Sequence, residues 1–300
     1  MTEAILARGL DEVLEARRQG AVVCAGGTDL MVRHKRGYGL APEIDRPVVF
    51  ISSVPELSGI TDVAGALEIG AATTLTELGA DPRVPEALKE VFIWFASPAI
   101  RNRATLGGNI CNASPAGDTL PFLYAREAVV LLTGSDGTRE LPIHDFIAGP
   151  GTTALGSDEL VTAVRIPVPA PARWFYRKVG PRRSNALSKL AVYAEDCGGP
   201  GEPEVRIAVG GAAPTVVRVP ALEAELGAVL GAAQSTADTR IEDVIAGYRN
   251  HIKPIDDQRS TAVYRLETAI DLIRYAIATL AAPPRVGPAD DNRSATRSTP

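Results

Sequence analysis

Two short stretches of this 300-residue chain hold residue types able to grip a phosphorylated ligand. The first is Cys24-Ala25-Gly26-Gly27-Thr28-Asp29-Leu30. Its paired glycines permit positive φ and close backbone approach to a ligand. Successive N–H groups in such a turn form a nest for phosphate oxygens. Thr28 adds a hydroxyl donor, and Asp29 is expected to cap a following helix rather than meet an anion. Taken alone, the stretch also describes a plain tight turn, the commoner use of such a sequence. The second is Thr105-Leu-Gly-Gly-Asn109-Ile-Cys111-Asn112-Ala-Ser114-Pro-Ala-Gly117-Asp118. Asn109 and Asn112 can each donate and accept. Asp118 either caps the helix expected after Thr119 or accepts from a sugar hydroxyl. So many oriented polar groups beside apolar neighbours favour a ligand-binding loop over a structural one.

A third cluster, Arg173, Arg177, Lys178, Arg182 and Arg183 with Trp174, Phe175 and Tyr176, mixes cations and aromatics. Nucleic-acid binding is its weakest reading, because the whole chain carries a net charge of -5. A solvated strand edge or an acidic partner explains it better. Gly149-Pro-Gly151-Thr-Thr-Ala154 has the loose dinucleotide-fingerprint spacing, but no clear strand precedes it and Pro150 removes a donor, so it reads as a surface loop. Cys24, Cys111 and Cys197 lie far apart, which excludes a zinc knuckle or an iron–sulfur loop. His34, His144 and His251 are isolated, and no metal or catalytic triad motif is present.

The elements needed to position these loops are legible in the apolar pattern. Residues 6–19 form an expected helix, ended by Gly20. Ala21 to Ala25 and Pro47 to Ser52 read as buried strands flanking a short helix at 30–36, a small parallel unit. A strand at 67–71, helices at about 74–79 and 83–95, and strands near 128–133 and 160–166 follow. The proline-rich segment 166–172 marks a domain boundary. Beyond it, Trp174 to Val179, Leu187 to Ala194 and Val205 to Ala212 read as three antiparallel strands, with helices at about 220–230, 240–250 and 258–281. Residues 285–300 are expected to be a disordered tail. Apolar residues at 45% and charged residues at 22% describe an ordinary globular chain, which excludes disorder throughout. No membrane span or signal peptide is expected, so a cytoplasmic location is the default.

The two glycine loops at this separation, with Lys178-Val-Gly-Pro-Arg-Arg183, Ile207-Ala-Val-Gly-Gly-Ala-Ala-Pro-Thr215 and Ile255-Asp-Asp-Gln-Arg-Ser-Thr-Ala-Val-Tyr-Arg265, cover nearly the whole chain. Together they resemble the FAD-binding subunit of molybdenum hydroxylases, the xanthine dehydrogenase family, with the bacterial xanthine dehydrogenase branch nearest. The resemblance implies an α+β fold. Residues 1–170 would be a p-cresol-methylhydroxylase-type FAD-binding domain of two α/β subdomains. Residues 171–284 would be a C-terminal domain of the CO dehydrogenase flavoprotein type, with a three-stranded antiparallel sheet and a helical bundle.

It implies that Ala25, Gly26, Gly27, Thr28, Asp29 and Leu30 form the first pyrophosphate loop. Thr105, Gly108, Asn109, Cys111, Asn112, Gly117 and Asp118 would line the second. Phe95 would sit against the isoalloxazine, and Leu160 and Lys178 would approach its edge. FAD would be held non-covalently, with no catalytic side chain and no metal ligand here. Molybdopterin and iron–sulfur clusters would reside on partner subunits, an iron–sulfur subunit and a molybdopterin-binding subunit, in a dimer of heterotrimers. Electrons would pass from those clusters to FAD and on to NAD or another acceptor. The alternative is a stand-alone flavin oxidoreductase of the same fold, such as the UDP-N-acetylenolpyruvoylglucosamine reductase type, which would need its own substrate pocket.

Overall fold

Ala4–Leu6 opens the chain as a strand, β1, so that Leu6, where the apolar spacing of residues 6–19 predicts the helix to begin, is a strand residue. Pairing decides against the helical pattern: β1 runs parallel to Val48–Phe50, and Gly9 is extended before the helix starts at Leu10. In the computed structural model, residues 3–40, 42–171, 173–182, 184–199, 202–232 and 237–282 are described. The expected tail at 285–300 lies outside them.

The first subdomain comprises β1, α1 (Leu10–Arg18), β2 (Val22–Cys24), α2 (Leu30–Arg33) and β3 (Val48–Phe50). Its sheet has the order β1-β3-β2, all parallel, as the strand–helix–strand pattern predicts. Helix α1 buries Val13 and Ala16 against this sheet and ends where Gly20 takes φ +85°. The expected cap at Asp29 is absent. Its side chain accepts no bond from α2, and its own backbone carbonyl instead takes the N–H groups of Val32 and Arg33.

A 3-10 turn at Pro55–Leu57 leads into the second subdomain. It contains β4 (Ile60–Val63), β5 (Ala66–Gly70), α3 (Leu75–Ala80), α4 (Glu86–Trp94), α5 (Pro98–Arg101), α6 (Leu106–Asn112) and α7 (Leu120–Ala125). The chain then returns as β6 (Val129–Gly134), β7 (Gly137–Pro142), α8 (Ile143–Phe146), β8 (Ile147–Gly149), β9 (Thr152–Thr153) and β10 (Leu160–Pro167). The main sheet is antiparallel with order β4-β5-β10-β6-β7. Gly149 and Gly151 belong to the small β8–β9 hairpin. Helices α3, α4, α6 and α7 cover the sheet, and Leu75, Leu88, Leu106, Ile110 and Phe122 are fully buried with Leu67, Val130 and Val164. Each such side chain contributes about 1.5–3 kcal/mol of burial.

After the prolines come β11 (Arg173–Val179), β12 (Leu190–Asp196), β13 (Val205–Gly210) and β14 (Val217–Arg218), then α9 (Pro220–Gly231), α10 (Ala237–His251) and α11 (Ala262–Ala281). The three expected antiparallel strands are present and β14 adds a short fourth. This sheet is buried on both faces. Phe175, Leu190, Val192, Ala194, Ile207 and Val209 pack on α9 and α11, whereas Tyr176, Ala191, Tyr193 and Ala208 join the core of the second subdomain. The period-2 alternation of a strand thus turns Lys178, two residues after Tyr176, toward the N-terminal part of the chain.

Candidate functional site

Between the two N-terminal subdomains lies a cleft of about 380 Å³. All six residues Ala25 to Leu30 line it, with Phe95, Thr105, Gly108, Asn109, Cys111, Asn112 and Leu160. Gly117, Asp118 and Lys178 are not on its surface. The structure therefore gathers thirteen of the sixteen predicted site residues around one cavity, which suits a bound organic cofactor.

The first loop is shaped by its glycines in two different ways. A Cβ on Gly26 would stand 1.8 Å from the Arg103 carbonyl oxygen, so the two subdomains touch here backbone to backbone. Gly27 has φ +73°, where a side chain is strained. Among the described residues, no partner takes the N–H groups of Gly26, Gly27, Thr28 or Asp29. These donors are partly accessible, so the loop is free to receive acceptor oxygens.

The second loop is already committed. Leu106 N–H donates to Thr73 O at 3.3 Å and Gly107 N–H to Ala71 O at 3.1 Å. Gly108 N–H donates to Thr105 Oγ1 at 3.0 Å, and Asn109 N–H to Thr105 O at 3.1 Å. Leu106, Gly107 and Gly108, orphan donors of the α6 N-terminus, are thereby used, and the Asn109 bond is the first of the helix itself. A Cβ on Gly107 would lie 2.7 Å from Ala71 O, so this glycine serves the close crossing. Asn109 accepts from Thr119 Oγ1 at 2.7 Å, which turns its amide nitrogen into the only free polar end of that side chain.

Asp118 and Lys178 sit directly behind the cleft wall. Lys178 Nζ donates to Asp118 Oδ2 at 2.6 Å and to Trp94 O at 3.0 Å, and Trp94 adjoins Phe95. Asp118 adjoins Thr119, the partner of Asn109. Both charged side chains are nearly inaccessible, 10% for Asp118 and 4% for Lys178. Asp118 does not cap α7; Thr119 occupies that position without a side-chain bond. Burial pushes the Asp118 carboxyl up to about 6, against the pull of the Lys178 ammonium. Its Oδ1 and the hydroxyl of nearby Tyr176 are buried without partners. Burial raises the Tyr176 phenol well above its ordinary value, with Asp118 and Glu90 adding to the rise.

Several residues of the cleft carried no signal in the sequence. Arg17, on α1, donates to Glu159 O at 3.2 Å and lines the cavity. Arg33 bridges the two loops by donating to the backbone carbonyl and side-chain Oδ1 of Asn112. Glu159 adjoins Leu160, and Gly156 N–H donates to its carboxylate at 2.6 Å. A surface arginine in an amphipathic helix looks like any other, so nothing in composition singled these out. In the basic cluster, Lys178 is buried and Arg173 pairs with Asp196, leaving Arg177 exposed. Among the described residues there is no cluster fit for a metal ion, and no helix is long and apolar enough to cross a membrane.

The geometry defines a cleft for a phosphorylated organic cofactor, walled by two glycine loops. Residues 2–169 match the family described as FAD binding domain in molybdopterin dehydrogenase, and residues 176–280 match the CO dehydrogenase flavoprotein C-terminal domain. The chain belongs to this family of flavoprotein subunits of molybdopterin dehydrogenases, which are oxidoreductase components. It is 35% identical over 209 residues to the xanthine dehydrogenase FAD-binding subunit of Escherichia coli O157:H7, covering 66% of this chain and 69% of that one. It is 30% identical over 269 residues to the carbon monoxide dehydrogenase medium chain of Hydrogenophaga pseudoflava, covering 86% and 88%. The solved carbon monoxide dehydrogenase of that organism, in a form lacking the Mo-pyranopterin moiety, superposes with a TM-score of 0.81 at 25% identity, over 93% of this chain and 96% of that one. Quinoline 2-oxidoreductase from Pseudomonas putida 86 shares the fold, with a TM-score of 0.80 at 22% identity over 94% and 97%.

Proposed function

We propose that this chain is the electron-transfer subunit of a xanthine dehydrogenase-like complex and holds FAD in the cleft between its two N-terminal subdomains. The observation that carries the reading is the row of free N–H groups at Gly26, Gly27, Thr28 and Asp29, facing a cavity in a family of FAD-binding domains. Those donors and the Thr28 hydroxyl bind the pyrophosphate. Asn109 and Asn112 orient the sugar and ribityl parts. Phe95 and Leu160 supply the apolar wall that excludes water from the ring. Lys178, held by Asp118, is bonded to the carbonyl of Trp94, next to Phe95 of the wall.

FAD, when bound, supplies the means of taking up electrons and passing them on singly or as a hydride. No side chain of this chain need act as acid, base or nucleophile. Iron–sulfur and molybdopterin subunits complete the complex as a dimer of heterotrimers in the cytoplasm, with NAD or another molecule as the acceptor. The test is the purified full-length chain. It carries about one non-covalent FAD per chain, released by denaturation, and does not oxidise a purine alone. A chain that cannot bind added FAD overturns the reading, and purine turnover by the lone chain overturns its placement as a subunit.

A further inference from the structure

Lys178 cannot be treated as a bare positive charge near the cofactor. Its ammonium is 2.6 Å from Asp118 Oδ2, inside a region where both side chains are almost wholly buried. We propose that Asp118 is a positioning residue that masks the Lys178 charge, so that one proton on Asp118 sets how strongly the cleft favours a reduced, negatively charged flavin. The proposal rests on the FAD reading given above.

Geometry connects the pair to the cleft on two sides. Lys178 is bonded to the carbonyl of Trp94, one residue before Phe95 of the wall. Asp118 is one residue before Thr119, whose hydroxyl fixes Asn109 of the wall at 2.7 Å. A proton arriving on Asp118 has a place to sit, because Oδ1 has no partner among the described residues. That proton comes from bulk water and returns to it; no covalent bond between protein and cofactor forms or breaks.

The other titratable groups on the elements packed together here leave it in control. From β11 come Lys178 and Tyr176, and the Tyr176 phenol is held neutral by burial. From α4 comes Glu90, which accepts from Trp174 Nε1 at 2.7 Å. Helix α7 offers the neutral phenol of Tyr124, and β12 offers Tyr193, whose hydroxyl donates to Glu195 at 2.7 Å. Glu195 in turn is paired with Arg126. Among the described residues, Lys178 is the cation that acts on Asp118. With Asp118 ionised the pair is neutral. With Asp118 protonated the pair carries one positive charge, in surroundings that screen it little.

The experiment is a dye-equilibrated reductive titration of the FAD-loaded full chain from pH 5 to 8, for wild type, Asp118→Asn, Lys178→Met and the double variant. Wild type should show an extra rise of the flavin midpoint potential on acidification through about pH 6, where Asp118 takes its proton. Asp118→Asn unmasks Lys178 at every pH, so its potential should exceed wild type at pH 8 and converge with it at pH 5. Lys178→Met leaves a buried carboxyl that keeps its proton, so its potential should match wild type at pH 8 and fall below it at pH 5. The double variant should follow Lys178→Met. A straight wild-type profile overturns the proposal even if no variant folds. So does an Asp118→Asn profile parallel to wild type, or a Lys178→Met potential already far below wild type at pH 8. Failure of the wild-type chain to take up FAD overturns the underlying reading instead.

Discussion

The two glycine loops look alike in sequence and are built for opposite tasks. Gly26-Gly27-Thr28-Asp29 keeps its N–H groups unspent, whereas Leu106-Gly107-Gly108-Asn109 spends all four on Thr73, Ala71 and Thr105. Glycine content therefore does not identify a phosphate cradle by itself. What matters is where the donors go, since a backbone N–H already bonded inside the fold has little left for a ligand. In the second loop the glycines allow two chain segments to cross at contact distance. In the first, Gly26 does the same and only Gly27 supplies the turn.

The strongest challenge to this contrast is Gly26→Ala. The added carbon would fall 1.8 Å from a backbone oxygen, which no side-chain adjustment relieves. Destabilisation above about 4 kcal/mol is expected, with loss of both soluble yield and flavin. A normal melting temperature would show that the two subdomains do not meet here. Gly27→Val is next. Backbone strain of about 1–3 kcal/mol and lost hydrogen bonds to a charged group predict a fall in FAD affinity of about 100-fold, with most of the apo-protein stability kept. Fluorescence titration with FAD reads it.

Thr105→Ala should behave in the reverse manner. Losing the cap of α6 costs about 0.5–2 kcal/mol of stability, seen in denaturant unfolding, while FAD affinity changes only several-fold. A large affinity loss at unchanged stability would give the second loop a direct grip on the ligand. A further effect concerns pH. The Asp118 carboxyl is raised in the folded chain from 3.8 to about 6, so the native state binds its proton more readily than the unfolded chain. Its contribution thus favours folding below about pH 4 and is lost as pH rises through 6, by about 3 kcal/mol at most. Subtracting the Asp118→Asn unfolding curve from wild type at each pH isolates it.

Most of the strand and helix plan was legible, because buried runs such as Val129–Gly134 and Leu160–Pro167 carry their own apolar pattern. Strands β4, β7 and β14 and the β8–β9 hairpin, where a surface loop was expected, were not, and two further features failed for a physical reason. Strand β1 was missed and its last residue, Leu6, assigned to the following helix, since a three-residue parallel pairing with Val48–Phe50 leaves no periodic trace. The cap assigned to Asp29 failed because the backbone there is already helical, with φ -97° and ψ -41°, which aims the carboxylate away from the N–H groups of α2. Within the site, motif residues on the loops were readable, but Arg17 and Arg33 were not. Their place in the cleft depends on how α1 and α2 lie against the second subdomain. Likewise, Asp118 and Lys178 are sixty positions apart, and only the face alternation of β11 brings them together.

Arg126 gives the proline boundary a meaning of its own. It is buried at the end of α7, and its guanidinium donates to Glu195 of β12 at 3.4 Å and to the carbonyl of Pro169 at 2.8 Å. A chain cut after residue 170 would keep that cation and lose its counter-charge, along with the sheet face that packs Tyr193 on Phe122. The segment that reads as a domain boundary in the sequence is thus a seam closed by a buried ion pair. Heating should melt both halves in one calorimetric transition, and separately expressed halves should aggregate rather than exist as independent modules.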